Sequence, residues 1–561
     1  MASAYPGTPS TEILQEFARY EGVYAEWAPN EKVAVEVAIG ASMAGTRAMA
    51  VMKHVGVNVA ADPIFTASYT GVGGGLVIVT ADDPELHSSQ NEQDSRHYSL
   101  AAKIPMLEPS DSAEAKKYTR LAFELSEKFD TPFFLRSTTR ISHVKSVVCL
   151  EEPSGPARPK EFRRDPAKWV MLPVNAKRRH ALVEERTNAL REFAETFAEN
   201  RIEWGDRSLG IITAGVSYQY VKEAFPDASV LKLGMAYPLP ERLIREFASG
   251  VSRVVVVEEL DPYIETHVRA LGIATEGKDR IPILGELDPR AVRQAITGEA
   301  PPLRAAELLP PRPPNMCPGC PHRGFFAALK KLDAVVTGDI GCYTLAALPP
   351  LQSMDLCVCM GASIGAAHGF EKALGGEGCG KAVAVIGEST FLHSGVTGLM
   401  NIVYNRGRGT VALLDNGTTA MTGAQENPST GRTLLKETTR KLDLKALCEA
   451  LGVEHVYVVN PHDIKETEAV LRREIARPEP SVIISRAPCV LLAEHRKSRK
   501  DRPVYEVAPD LCVGCKVCAR FGCPAIGFVE DKARINALMC DGCNQCPPLC
   551  KARAIVEKAN V

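Results

Sequence analysis

The sequence predicts an α/β chain of three doubly wound parallel-sheet domains with a small cysteine-rich domain at its C-terminal end. Three observations predict it. Short, almost wholly apolar runs alternate with helical patterns, stretches rich in proline and charge interrupt that rhythm, and eight cysteines crowd into residues 512–550. At 561 residues the chain is too long for one core, and 45% hydrophobic against 24% charged residues is the composition of a soluble globular protein. A net charge of −2, from 66 basic and 68 acidic residues, gives no strong field and argues against nucleic acid or membrane as partners. No apolar run reaches the roughly 18 residues of a membrane-spanning helix. The start "MASAYPGTPS" has neither a basic nor an apolar leader region, so a cytoplasmic location is expected.

The first domain, residues 1–150, carries strand-like runs at 74–82 ("GGLVIVTAD") and 131–138 ("TPFFLRST"). "EEPSGPARPKEFRRDPAKW" then reads as a linker. It opens a second α/β part, 151–310, with strands at 209–215 and 253–259 around a helix near 217–225. "LLPPRPPNM" (308–316) is a stiff connector. The third domain, 311–498, has strands at 382–388, 410–416 and 481–487, each beside a glycine-rich turn. A basic stretch, "HRKSRKDRP", leads into the fourth, 499–561.

In that last domain "CVGCKVCARFGCP" and "CDGCNQCPPLC" each hold four cysteines. One loop of C-x2-C-x2-C supplies three thiolates to an iron–sulfur cube, and the fourth cysteine of each run crosses to the other cube. This gives Cys512, Cys515, Cys518 and Cys550 for one [4Fe-4S] cluster, and Cys540, Cys543, Cys546 and Cys523 for the other. A zinc ribbon is the competing reading, but it leaves the third cysteine of each run without a role. The module resembles a bacterial two-cluster ferredoxin, with four rather than three residues between Cys518 and Cys523.

In the third domain "GEST" (387–390) ends one apolar strand, and Asn416 ends another 28 positions after Glu388. An acidic side chain, an amide oxygen and the backbone carbonyl of Thr418 offer hard oxygens for magnesium, and adjacent glycine loops admit a diphosphate. The spacing is similar to the thiamine diphosphate signature, with Glu388 in the usual aspartate position. Thiamine enzymes also need a carboxylate against the aminopyrimidine. Glu31, nine positions before Gly40 on a small-residue segment, is favoured for this, with Glu36 as the competitor.

Together "AYPGTPSTEI", "MKHVGVNVAADP", "SSQNEQDSR", "AKIPMLEPSD", "CPGCPHR" and "GDIGC" resemble the large-subunit family of indolepyruvate ferredoxin oxidoreductases, within the 2-oxoacid:ferredoxin oxidoreductase superfamily, over nearly the full length. The resemblance implies a multidomain thiamine-diphosphate-enzyme architecture: residues 1–150 would be a pyrimidine-binding domain, 151–310 a transketolase C-terminal-like part, 311–498 a diphosphate-binding domain and 499–561 the ferredoxin-like domain. It implies oxidative decarboxylation of an aryl 2-oxoacid with coenzyme A, electrons leaving through the clusters to ferredoxin, and a smaller beta subunit as partner. A different 2-oxoacid, or an electron-transfer subunit with a vestigial thiamine site, are the other readings.

Carried onto this chain, the resemblance puts Thr8 facing substrate and cofactor, although capping the helix near Ser10 is an alternative. Arg96 would pair with the substrate carboxylate, a surface ion pair being its alternative. His322 would stand beside the diphosphate, with Asp339, Ile340 and Gly341 in the next loop and Gly387, Glu388, Ser389, Asn416, Thr418 and Met421 completing the cofactor loops. The family has a further strand and helix before "YPGTPS", so a short first domain is expected. Finally, Cys317 and Cys320 ("CPGC"), Cys342 ("GDIGC") and Cys489 ("RAPC") fall at strand ends that a parallel sheet gathers at one edge. Relatives use matching positions for a proximal [4Fe-4S] cluster. Small buried apolar residues are the alternative for Cys342 and Cys489. Cys149, Cys357, Cys359, Cys379 and Cys448 are assigned no metal.

Overall fold

The computed structural model describes residues 1–151, 160–299, 313–375 and 381–558. Residues 152–159 of the linker, 308–312 of the connector, and Cys379 lie outside the described residues. The chain divides into two compact units, Met1–Glu307 and Leu308–Val561.

The first unit contains strands β1 (Ala2–Ala4), β2 (Ala25–Trp27), β3 (Ala48–Lys53), β4 (Leu76–Asp82), β5 (Met106–Leu107), β6 (Phe133–Thr138), β7 (Arg201–Glu203), β8 (Asp206–Ala214), β9 (Ala228–Leu233), β10 (Met235–Tyr237) and β11 (Val254–Val257). They form a seven-stranded sheet, β10-β5-β6-β4-β3-β1-β2, and a four-stranded sheet, β11-β8-β9-β7. Strands β3 and β4 are buried along their whole length, which is why their sequences run apolar rather than alternating: helices cover both faces.

Two features depart from the sequence expectation of separate parallel-sheet domains. Strand β10 comes from beyond the linker yet pairs antiparallel with β5, and β7 pairs antiparallel with β9. The helix Pro173–Thr196 also packs on the first sheet's side of the unit. Its Arg179 and Arg186 donate to the carbonyls of Tyr69, Thr70 and Ser68, satisfying the end of the helix Ala61–Thr70, where a cation also complements the helix dipole.

A buried ionic network joins the two sheets of this unit. Arg136 on β6 donates to Asp82 at 2.7 Å and pairs with Glu108 and, at 3.9 Å, Asp94. Arg96 pairs with Asp94 and, at 2.6 Å, with Glu258, which follows β11 and also accepts the amides of Ile264 and Glu265.

The second unit is built on six parallel strands: β12 (Val335–Gly338), β13 (Leu356–Cys357), β14 (Ala382–Gly387), β15 (Thr410–Asp415), β16 (His455–Val459) and β17 (Ser481–Arg486), in the order β13-β12-β14-β15-β17-β16. One face packs Phe325, Phe326, Val385 and Leu414 into a core that Phe521 of the cysteine-rich tail completes; the other packs Ile364, Ile386, Leu399 and Leu413. The tail adds the two-stranded pairs β18 (Tyr505–Val507) with β21 (Ile555–Glu557), and β19 (Ile526–Val529) with β20 (Lys532–Ile535). It shares a core with the third sheet and is not a detached appendage.

Arg136→Met would leave Asp82 and Glu108 buried without their cation. A loss of about 3–5 kcal/mol is expected in the first unit. Faster hydrogen exchange of the β4 and β6 amides, with the second unit unchanged, is the measurement that checks it.

Candidate active site and thiol clusters

In the first sheet the chain leaves β1 for β2 on one side and returns to β3 on the other, so the crevice at the carboxyl ends of β1 and β3 is the place where such sheets bind ligands. The loop Tyr5–Ser10 follows β1, and Lys53 closes β3. Glu31 begins the helix Glu31–Met43, whose N-cap, Asn30, accepts the Val33 amide at 2.9 Å. It is buried, and a Cβ added to Gly56 would come within 2.7 Å of its Cγ, so Gly56 must be glycine for Glu31 to lie as it does. Glu36 is exposed beside Lys32 at 3.8 Å. Burial therefore separates the two candidates and leaves Glu31.

Thr8 is half-buried; its carbonyl accepts Ser88 Oγ at 3.2 Å, and the N-cap of the helix Thr11–Phe17 is Ser10, not Thr8. Sequence reasoning missed Lys53. Its Nζ donates to the Ser88 carbonyl at 3.0 Å, and burial pulls its pKa down to about 8 against the upward pull of Asp83 and Glu31. A lysine ending a wholly apolar strand was the available signal. Arg96 needs correction. It was expected to meet a substrate carboxylate or lie on the surface, but it is 1% exposed and taken up by Asp94, Glu258 and the carbonyls of Glu259 and Asp261, with its guanidinium 5.0 Å from the Tyr263 ring centroid. With its donors so occupied it is a structural link between the two sheets of its unit.

In the second unit the crossover reverses between β12 and β14, and the predicted cofactor loops follow those strands and β15. Glu388, 2% exposed, starts the short helix Glu388–Thr390 and accepts the amides of Thr418 at 3.0 Å and Asn416 at 3.5 Å. The longer glutamate thus reaches the Asn416–Thr418 turn, which Gly417 passes at φ +74° with open space over it. Among the described residues no cation pairs with Glu388. Burial first, then Asp415, push its carboxyl up to about 8. A buried carboxylate beside the hard oxygen of Asn416 fits a divalent cation, whose charge would reverse that shift.

Asn416 Nδ2 donates to His322 Nε2 at 3.2 Å, and burial holds His322 down at about 4, hence neutral and an acceptor. The Asp339 carboxylate is occupied by the amides of Gly361 (2.9 Å) and Ser363 (3.1 Å) at the start of the helix Ala362–Leu374. The Ile340 carbonyl accepts from Tyr343 and Thr390. Cβ atoms on Gly341 or Gly387 would collide with the Tyr343 ring, at 2.3 and 2.8 Å. Ser389 Oγ accepts from Thr419 at 2.8 Å; Thr418 is buried and Met421 exposed.

The thiols fall into three sets by the groups that act on each. Burial raises Cys518, followed by Cys512, Cys515 and Cys550. These four line one pocket with Val507, Phe528 and Ile555. Burial raises Cys543 to about 11, with Cys523, Asp541 and Cys540 next, and Cys546 feels Cys543, Cys523 and Cys540. The third set is drawn from across the sheet: Cys320, raised to about 12 by burial, feels Cys342 and Cys317, and Cys342, raised to about 11, feels Cys489 and Cys317. Both Cys342 and Cys489 also feel Glu388. Four thiolates on a single zinc ion at 2.3 Å stand about 3.8 Å apart. Among the described residues no three cysteine sulfurs lie within 4.8 Å of one another. Cys149 and Cys359 are exposed and Cys448 is buried in the opposite core face.

Residues 1–191 match the family model described as pyruvate flavodoxin/ferredoxin oxidoreductase, thiamine diphosphate-binding, and residues 339–485 match thiamine pyrophosphate enzyme, C-terminal TPP binding domain. The chain is 42% identical to the indolepyruvate oxidoreductase subunit IorA of Archaeoglobus fulgidus, across 99% of this chain and 94% of that one. It is also 42% identical to the subunit of the same name from Pyrococcus abyssi, across 98% and 92%. A 2-oxoglutarate:ferredoxin oxidoreductase structure from Magnetococcus marinus aligns at 17% identity and TM-score 0.43, covering 53% of this chain and 61% of that one. No helix among the described residues is long and apolar enough to cross a membrane.

Lys53 is expected to titrate near pH 8. Asp83→Asn removes an upward pull and is expected to lower that midpoint, as read by NMR of isotope-labelled lysine side chains.

Proposed function

The chain belongs to the indolepyruvate oxidoreductase subunit IorA family, and from that premise we propose that it oxidatively decarboxylates aryl 2-oxoacids, indolepyruvate among them, with coenzyme A, yielding an arylacetyl-CoA and CO2 and reducing ferredoxin. The observation that carries this reading is that Cys342, Glu388, Asn416 and Cys489 each follow a strand of one parallel sheet, at the same edge. A thiol set able to hold a redox centre then borders the cofactor loops, an arrangement that a thiamine enzyme without redox chemistry has no use for.

When bound, thiamine diphosphate supplies the electron sink for loss of CO2, and [4Fe-4S] clusters carry single electrons away. Glu388, Asn416 and the Thr418 carbonyl would hold Mg2+, with His322, Asp339–Gly341 and Ser389 around the diphosphate and Met421 against the rings. Cys512, Cys515, Cys518 and Cys550 would hold one cluster, Cys523, Cys540, Cys543 and Cys546 a second, and Cys317, Cys320, Cys342 and Cys489 the proximal third. The chain's own residues prepare the site. Glu31 presents a carboxylate in a buried setting, where a proton shared with a ring nitrogen is exchanged without competition from water. Neutral His322 accepts from the Asn416 amide nitrogen and the Thr418 N–H donates to its oxygen at 3.1 Å, which orients that oxygen with one lone pair remaining for the cation. Thr8 stands in the loop that would face the substrate. A smaller partner subunit completes the enzyme, and its location is cytoplasmic.

Anaerobic reduction of methyl viologen dependent on indolepyruvate and coenzyme A tests the reading; intact clusters without bound thiamine or turnover would favour a relay subunit. Glu31→Gln is expected to bind thiamine diphosphate within a few-fold of the parent and to lose at least about 100-fold in turnover, as steady-state kinetics will show. Iron and sulfide analysis is expected to give about twelve of each per chain, falling to about eight in Cys342→Ser.

A further inference from the structure

Arg323 follows His322 in the helix Pro321–Leu329 and is 1% exposed. Its terminal nitrogens donate to main-chain carbonyls, Nη1 to Phe521 (3.1 Å) and Gly522 (2.7 Å), Nη2 to Met316 (2.7 Å). Phe521 also lies under its guanidinium, 5.8 Å to the ring centroid. Two things are missing. Among the described residues no carboxylate pairs with it, and its Nε–H, fully buried, has no acceptor. A buried guanidinium without a counter-charge is costly, and a buried donor without an acceptor adds to that cost.

The groups that act on it electrostatically, after burial, are Cys523, Cys320, Cys543 and Cys317. Two belong to the proximal set and two to the second tail set, and the Met316 and Gly522 carbonyls that Arg323 holds immediately precede Cys317 and Cys523, one from each set. Cysteine-ligated iron–sulfur clusters carry net negative charge and sulfurs that accept hydrogen bonds, and both properties set their potentials.

We propose that Arg323 is a positioning residue shared by two clusters: its Nε–H donates to a cluster sulfur, and its charge raises the reduction potentials of the cluster on Cys317, Cys320, Cys342 and Cys489 and of the cluster on Cys523, Cys540, Cys543 and Cys546. This rests on the three-cluster reading above. Arg323 keeps its proton throughout and exchanges none with either cluster.

The test uses anaerobically purified holoenzyme. Iron is counted first, and the clusters are then titrated with EPR detection in the parent, Arg323→Gln and Arg323→Lys. With iron unchanged, Arg323→Gln is expected to move two midpoints to lower potential and leave the third in place, and Arg323→Lys to restore part of the shift. Unmoved midpoints, or an equal shift of all three, would overturn the proposal. Because Arg323 also ties the tail to the helix, loss of folding in the variants is covered by a second measurement. Parent holoenzyme labelled with 15N only in arginine is expected to show a nitrogen coupling to a reduced cluster in pulsed EPR, and its absence overturns the hydrogen bond. A parent that holds only about eight irons defeats the three-cluster reading itself, whereas about twelve irons with no shift and no coupling defeats Arg323 alone.

Discussion

Parallel pairing of β12 to β17 sends the carboxyl end of every strand in that sheet to one edge, and the reactive groups of the second unit stand together because of it. Cys342 follows β12, Glu388 follows β14, Asn416 follows β15 and Cys489 follows β17. An antiparallel sheet would have scattered alternate members of this set to opposite ends. The glycines at positions 341 and 387 leave room for the Tyr343 ring beside these loops.

The two units differ in where their most deeply buried charges find partners. In the first, two cations, Arg96 and Arg136, are shared among four carboxylates, Asp82, Asp94, Glu108 and Glu258, in one network within the chain. Such a network joins the two sheets through pairs made inside the unit. In the second, Glu388 lacks a cation and Arg323 lacks an anion among the described residues. Incomplete compensation of this kind is costly in an empty protein and marks where charged groups from outside belong.

Much of this arrangement was readable from the chain because it rests on local spacing. The C-x2-C-x2-C runs, the strand-end position of Glu388 and Asn416, and the buried runs such as "AVAVIG" each need only neighbours in sequence to be recognised. What could not be read depends on distant partners. Arg96 was misjudged because Glu258 lies far along the chain, and the pairing of β10 with β5 crosses the linker in the same way. Lys53 and Arg323 went unnoticed because a single basic residue carries no spacing signal; only burial, and the company it keeps, distinguishes it.

The tail is bonded into the second unit: Gln545 Nε2 donates to the Cys320 carbonyl at 3.3 Å, Phe521 completes the sheet's core, and a Cβ on Gly324 would meet the Pro461 carbonyl at 2.1 Å and Gln545. This orders events during synthesis. Cys317 and Cys320 emerge from the ribosome early, Cys489 much later, and the segment that shields them last of all. A chain cut short before Phe521 would therefore lose part of the second unit's own core as well as the tail.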